Sequence, residues 1–164
     1  MTTVYFRPAG NTVKNKKNDT AHSDISNSIM PVFVKKVDPK IIRKEVELQQ
    51  CAWSYGFAPE VYKTTEDTIH MEDLEEMCIA DKYGDHPATI PDRIWVSIRH
   101  ILHTLYYEEG IEYIDITPYN FIEKGDKVYI IDFGHADYAK KKKTMNWFLK
   151  EYLDGENGWN PDFK

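Results

Sequence analysis

Read as a pattern of apolar and polar positions, the chain divides into short strands, two amphipathic helices and a polar stretch near its start. Residues 3–6 can begin a strand, but residues 11–28 are almost wholly polar, rich in Asn, Lys, Ser and Asp, and read as a long loop. Apolar residues resume at 29–37, where Val32, Phe33 and Val34 favour a strand through β-branching and aromatic content. Asp38-Pro39 marks a turn before a helix over 40–55, on which Ile41, Glu45, Leu48 and Ala52 share a face. An acid on an apolar face needs a partner. Gly56 stops that helix, 61–64 and 68–71 read as two strands, and 72–83 as a connector containing a helical turn or two.

Pro91 opens the strongest helix, whose apolar stripe is Ile94, Ile98, Ile101, Leu102 and Leu105, with Gly110 placed as its stop. Two brief apolar runs, 120–122 and 128–131, flank Lys124-Gly125-Asp126 and predict a hairpin. A last helix is expected over 145–153, followed by a tail with Trp159, Pro161 and Phe163. Trp147, Phe148, Trp159 and Phe163 are expected to seal a small core.

At 164 residues and 41% hydrophobic content, one α+β unit is the expectation, split into lobes over 1–73 and 74–164. A net charge of −6 and a pI near 5.5 argue against a general nucleic-acid binder, so an anionic ligand must be held locally. Cys51 and Cys78 are too few and too far apart for a disulfide framework or a four-ligand zinc site, which fits a reducing cytoplasmic setting. Neither a secretory signal pattern nor a stretch of membrane-spanning length is present in the sequence, and no membrane partner is expected. His100 and His103 lie less than a turn apart on the long helix and read as structural.

The chemistry concentrates in Gly110-Ile111-Glu112-Tyr113-Ile114-Asp115-Ile116-Thr117-Pro118-Tyr119-Asn120 and in Val128-Tyr129-Ile130-Ile131-Asp132-Phe133-Gly134. Together they resemble the catalytic loop H-R-D-L-x-x-x-N of protein kinases followed, across a hairpin, by D-F-G. Val32-Phe33-Val34-Lys35 resembles the V-A-I-K strand, and Ile69-His70-Met71-Glu72-Asp73-Leu74 the strand and hinge that bind adenine through backbone groups.

The resemblance implies a protein-kinase-like fold, with a small β-rich N-lobe holding one helix and a reduced helical C-lobe carrying the catalytic loop and hairpin. It implies ATP and Mg²⁺ as cofactors, because phosphoryl transfer depends on positioning and charge neutralisation. By it, Lys35 meets the phosphates and pairs with Glu45, while Asn120 and Asp132 hold the metal. Asp115 takes the acceptor proton, and Gly134 lets the backbone bend behind the metal ligand. Met71 stands as gatekeeper, with Glu72 and Leu74 at the adenine; Glu47 is the fallback partner for Lys35.

The chain departs from that pattern in four places. No G-x-G-x-x-G precedes Lys35, Tyr113 replaces the usual histidine, Thr117 stands where Ser/Thr kinases carry a lysine, and nothing after Gly134 resembles A-P-E. A Ser/Thr-type protein phosphotransferase is the leading reading, with a partner subunit expected to complete the shortened C-lobe. A pseudokinase acting as a nucleotide-binding or scaffold module, and a small-molecule kinase, are the alternatives. The layout is also similar to small kinase-like proteins of large DNA viruses, which implies host cytoplasm or the virion. The basic run 140–143 reads as a solvated loop.

Overall fold

β1 (Val32–Lys36) forms where β-branched and aromatic residues cluster, and it pairs antiparallel with β3 (Thr68–Glu72), Lys35 facing Ile69. These coordinates belong to a computed structural model describing residues 30–163; the expected strand at 3–6 and the polar loop at 11–28 lie outside the described residues. β2 (Val61–Thr64) adds to the other edge of β3 with a register shift between Val61 and Lys63, giving a three-stranded sheet in the order β1-β3-β2.

Helix α1 (Ile42–Ser54) begins just after the Asp38-Pro39 turn. It straddles two apolar clusters. Ile41, Ile42 and Val46 pack on the small cluster of Val37, Ile69 and Met71, while Leu48 and Ala52 are buried in the large one. Glu45, between these contacts, is 1% exposed.

The connector is helical only in α2 (Ile79–Tyr83). α3 (Asp92–Tyr107) buries Ile94, Ile98, Ile101, Leu102 and Leu105 as the 3.6-residue period demands, and these are the centre of the large core. Burying each such side chain contributes about 1.5–3 kcal/mol before entropic costs. β4 (Ile111–Glu112) pairs with β7 (Asp137–Tyr138), so the segments on either side of the catalytic-loop and D-F-G stretches are stitched together. β5 (Phe121–Lys124) and β6 (Lys127–Ile130) form the predicted hairpin; Gly125 takes φ +63° in its two-residue turn, a conformation that favours glycine.

Two buried carboxylates hold the lower part together. Glu123 accepts from Tyr83 at 2.6 Å, from Lys82 at 2.8 Å and from Arg93, tying β5 to α2 and α3. Glu112 is bonded by Lys142 and by the Asn146 amide at 2.8 Å. Lys142 of the basic run, though exposed, is thus also a structural partner. Asn146 caps α4 (Trp147–Leu153), accepting from the Phe148 and Leu149 amides.

The tail packs back on the core through Trp159, whose ring lies 4.4 Å from that of Trp95, and Phe148 packs there too. Trp147, at 50% exposed, does not seal the core as expected, because its position on the short α4 faces solvent. His100 and His103 are exposed, edge-on to Phe57 and beside Tyr107 respectively. Among the described residues, no helix is long and apolar enough to cross a membrane.

Candidate functional site

β1 alternates its side chains so that Lys35 turns inward and is buried at 8% exposure. Its ammonium bonds to the Glu45 carboxylate from α1 and donates to Asp132 Oδ1 at 2.8 Å. Burial works against that ammonium, yet the charges of Asp132 and Glu45 outweigh it and raise its pKa. For Glu45 burial prevails over the pull of Lys35, and the carboxyl lies above the usual range. Glu47 instead pairs with Arg43 on the outer face, so the fallback partner is not used.

Asp132 follows β6 with φ +61°, a left-handed backbone that costs a non-glycine residue of order 1 kcal/mol or more. Strain of this kind persists where surroundings over-determine it, and here they do. Oδ1 takes both the Lys35 ammonium and the Gly134 amide, the latter at 3.2 Å. A Cβ on Gly134 would meet Asp132 Oδ1 at 3.2 Å and Glu45 Oε2 at 3.7 Å, so this position must come close to both acids.

The loop after β4 turns sharply, with Ile116 N–H donating to Ile114 O at 2.8 Å and Thr117 N–H to Asp115 O at 3.0 Å. Asn120 Nδ2 donates to Asp115 O at 3.0 Å, locking the acid and the amide of the loop to each other. Burial raises the Asp115 pKa, the bond and charge of His135 oppose it, and the nearby charge of Asp132 adds to it. Tyr113, 1% exposed, fills the space beneath the D-F-G phenylalanine: its ring meets Phe133 edge-on at 5.5 Å, and its hydroxyl donates to Ile131 O at 2.8 Å. Thr117 is buried in the loop itself.

A cavity of about 580 Å³ lies between the sheet and the hairpin, a size suited to a small ligand. Phe33, Met71 and Leu74 face Ile122 and Ile131 in its walls, with Glu72 at its rim and Lys35 and Asp132 in its lining. Of the expected residues, Lys35, Glu45, Asp132 and Gly134 come close to one another, Met71, Glu72 and Leu74 line the cavity, and Asp115 and Asn120 are bonded to each other in the loop outside that lining. Sequence reasoning missed His135, whose Nδ1 lies 3.1 Å from Asp115 Oδ2; only its place directly after D-F-G could have signalled it.

A RIO domain family model matches residues 6–153. The chain belongs to the RIO domain family. RIO domains are atypical members of the protein-kinase-like superfamily and, as a class, ATP-binding phosphotransferases, so the expected likeness is shown at the level of the superfamily. No individual curated protein matches the chain.

In this RIO domain the Asp132 carboxylate in the cavity wall is an oxygen donor of the kind that suits a magnesium nucleotide. Among the described residues no three His, Cys, Asp or Glu side chains converge into a metal cage, and Asn120 stands in the loop with its Nδ2 on Asp115 O. Mg²⁺ is commonly held by one or two protein oxygens, with phosphates and water completing the octahedron.

Proposed function

We propose that this RIO domain is an ATP- and Mg²⁺-dependent phosphotransferase acting on a protein Ser/Thr hydroxyl. The observation that carries the reading is the bridge from Lys35 to both Glu45 and Asp132 in the wall of the cavity. An ammonium held between two carboxylates keeps its charge and its place, and can turn toward a phosphate without reorganising.

Asp132 and Asn120 would hold the cation, which when bound neutralises charge on the phosphates. Met71, Glu72 and Leu74 line the cavity where the adenine would sit. Asp115, raised in pKa by burial, orients the acceptor hydroxyl and takes its proton, a task that a more basic carboxylate does better. Gly134 leaves room for the Asp132 carboxylate. A protein acceptor, or a partner subunit that presents it, would dock beside Asp115.

A second reading is a pseudokinase, a nucleotide-binding or scaffold module. It is favoured by the sequence itself, which lacks G-x-G-x-x-G before Lys35 and has Thr117 in place of a phosphate-facing lysine. Measuring the melting temperature with and without Mg·ATP, and then transfer of labelled phosphate to a generic protein acceptor, separates them. A shift with transfer supports the enzyme. A shift without transfer supports the nucleotide-binding module, and neither would remove the enzyme and leave a scaffold that keeps only the fold.

A further inference from the structure

The tail beyond residue 153 lies outside the stretch matched by the RIO family, yet it is fastened to the loop that carries Asp115. Asn160 is 1% exposed and grips that loop at two points. Its Nδ2 donates to Ile114 O at 2.7 Å, and its own amide donates to Ile116 O at 2.9 Å. The two carbonyls flank Asp115, so one residue of the tail fixes the backbone on both sides of the acid. Its remaining polar atom is also used, since Asn160 Oδ1 accepts from the Asp162 amide at 3.1 Å.

A third contact reaches the carboxylate itself. The Phe163 ring lies 5.1 Å from the His135 ring, and His135 Nδ1 lies 3.1 Å from Asp115 Oδ2. The tail is in turn anchored independently of the loop: Trp159 packs between Trp95 and Phe121, and Arg99 donates to Tyr152 O at 2.9 Å and to Asn157 Oδ1 at 2.7 Å. The Ile114 carbonyl, which already accepts from the Ile116 amide in the loop's own turn, takes a second donor from Asn160, and the Ile116 carbonyl takes the Asn160 amide.

We propose that Asn160 is a positioning residue for Asp115, and that the tail over 155–163 forms a working part of the active site. The proposal rests on the phosphotransferase reading for its effect on rate, but its geometric content stands apart from that reading. A carboxylate aimed from a loop loses effectiveness when the loop can wander by even an ångström, whereas the nucleotide's contacts with Lys35 and the cavity wall lie outside that loop.

The test compares the full chain with its Asn160→Ala and Asn160→Asp variants. Single-turnover phosphate transfer from Mg·ATP is expected to slow on the order of tenfold with the dissociation constant of ATP in chelator unchanged within about twofold. In the same proteins, the amide exchange of Ile116 and Thr117 should speed up while that of the α3 core stays as in the parent. If rate, loop exchange and affinity all stay at parental values, or if α3 exchange speeds up and affinity for ATP falls together with the rate, the positioning role is wrong. If the parent chain transfers no phosphate, the proposed function fails while loop exchange alone still decides on Asn160.

Discussion

Lys35 donates to Asp132 Oδ1 at 2.8 Å across 97 residues of sequence, joining the first described strand to the D-F-G turn. The same carboxylate is the proposed metal ligand, so Lys35 and a cation would share one acid. Replacing Asp132 by Asn keeps its shape and removes the charge that both require. The metal-dependent part of the melting shift with ATP should vanish, and transfer should fall roughly 100-fold or more. Thermal unfolding with Mg·ATP against ATP plus chelator measures it; an unchanged metal-dependent shift would take Asp132 out of the site.

Lys35→Met leaves Glu45 buried without its cation. Breaking a buried pair from one side costs about 3 kcal/mol near neutral pH. Burial already raises the Glu45 pKa against the pull of Lys35, and without Lys35 the neutral acid is favoured further. A carboxyl whose folded pKa is raised is destabilising once ionised, so the deficit should grow as pH rises through that pKa and shrink on the acid side. Urea unfolding of both proteins at about pH 5 and about pH 8 checks the sign.

Gly134→Ala puts a methyl 3.2 Å from Asp132 Oδ1. Backbone and carboxylate must move apart, at a cost of about 1–2 kcal/mol. Because the displaced oxygen is the one Lys35 uses, Mg·ATP affinity should drop along with stability. Calorimetric titration with Mg·ATP reads the first and thermal unfolding the second.

Glu123 sets the acid limit. Burial pushes its pKa up, but the bonds from Arg93, Lys82 and Tyr83 prevail and bring it from 4.5 down to about 2. A depressed carboxyl contributes stability that is complete above its unfolded pKa and is lost as pH falls toward the folded one. Stability should therefore decline between about pH 4.5 and about pH 2, and Glu123→Gln should flatten that decline. Unfolding free energy followed over this range by circular dichroism tests it.

Much of this was readable from local pattern. The period of α3, the hairpin turn at Gly125, and the placing of Glu45 among Ile41, Leu48 and Ala52 all follow from spacing, because one face of each element must be apolar. The chemical residues were readable because Asp115, Asn120, Asp132 and Gly134 stand at fixed offsets in a short motif. What escaped was long-range and unpatterned. Glu112 and Glu123 look like ordinary strand charges until Lys142, Lys82 and Arg93 arrive from elsewhere. Asn160 resembles any polar tail residue, and His135 any loop histidine, since single hydrogen bonds across 46 and 20 residues leave no periodic trace.

The placement of α1 across both apolar clusters bears on how such a protein could be controlled. Leu48 and Ala52 are sunk in the large core while Ile42 and Val46 rest on the small sheet, so the helix cannot pivot without opening both. Swinging Glu45 in and out would thus be an expensive throttle. Regulation of this chain is better sought in what gains entry to the cavity mouth than in a lever built from its helix.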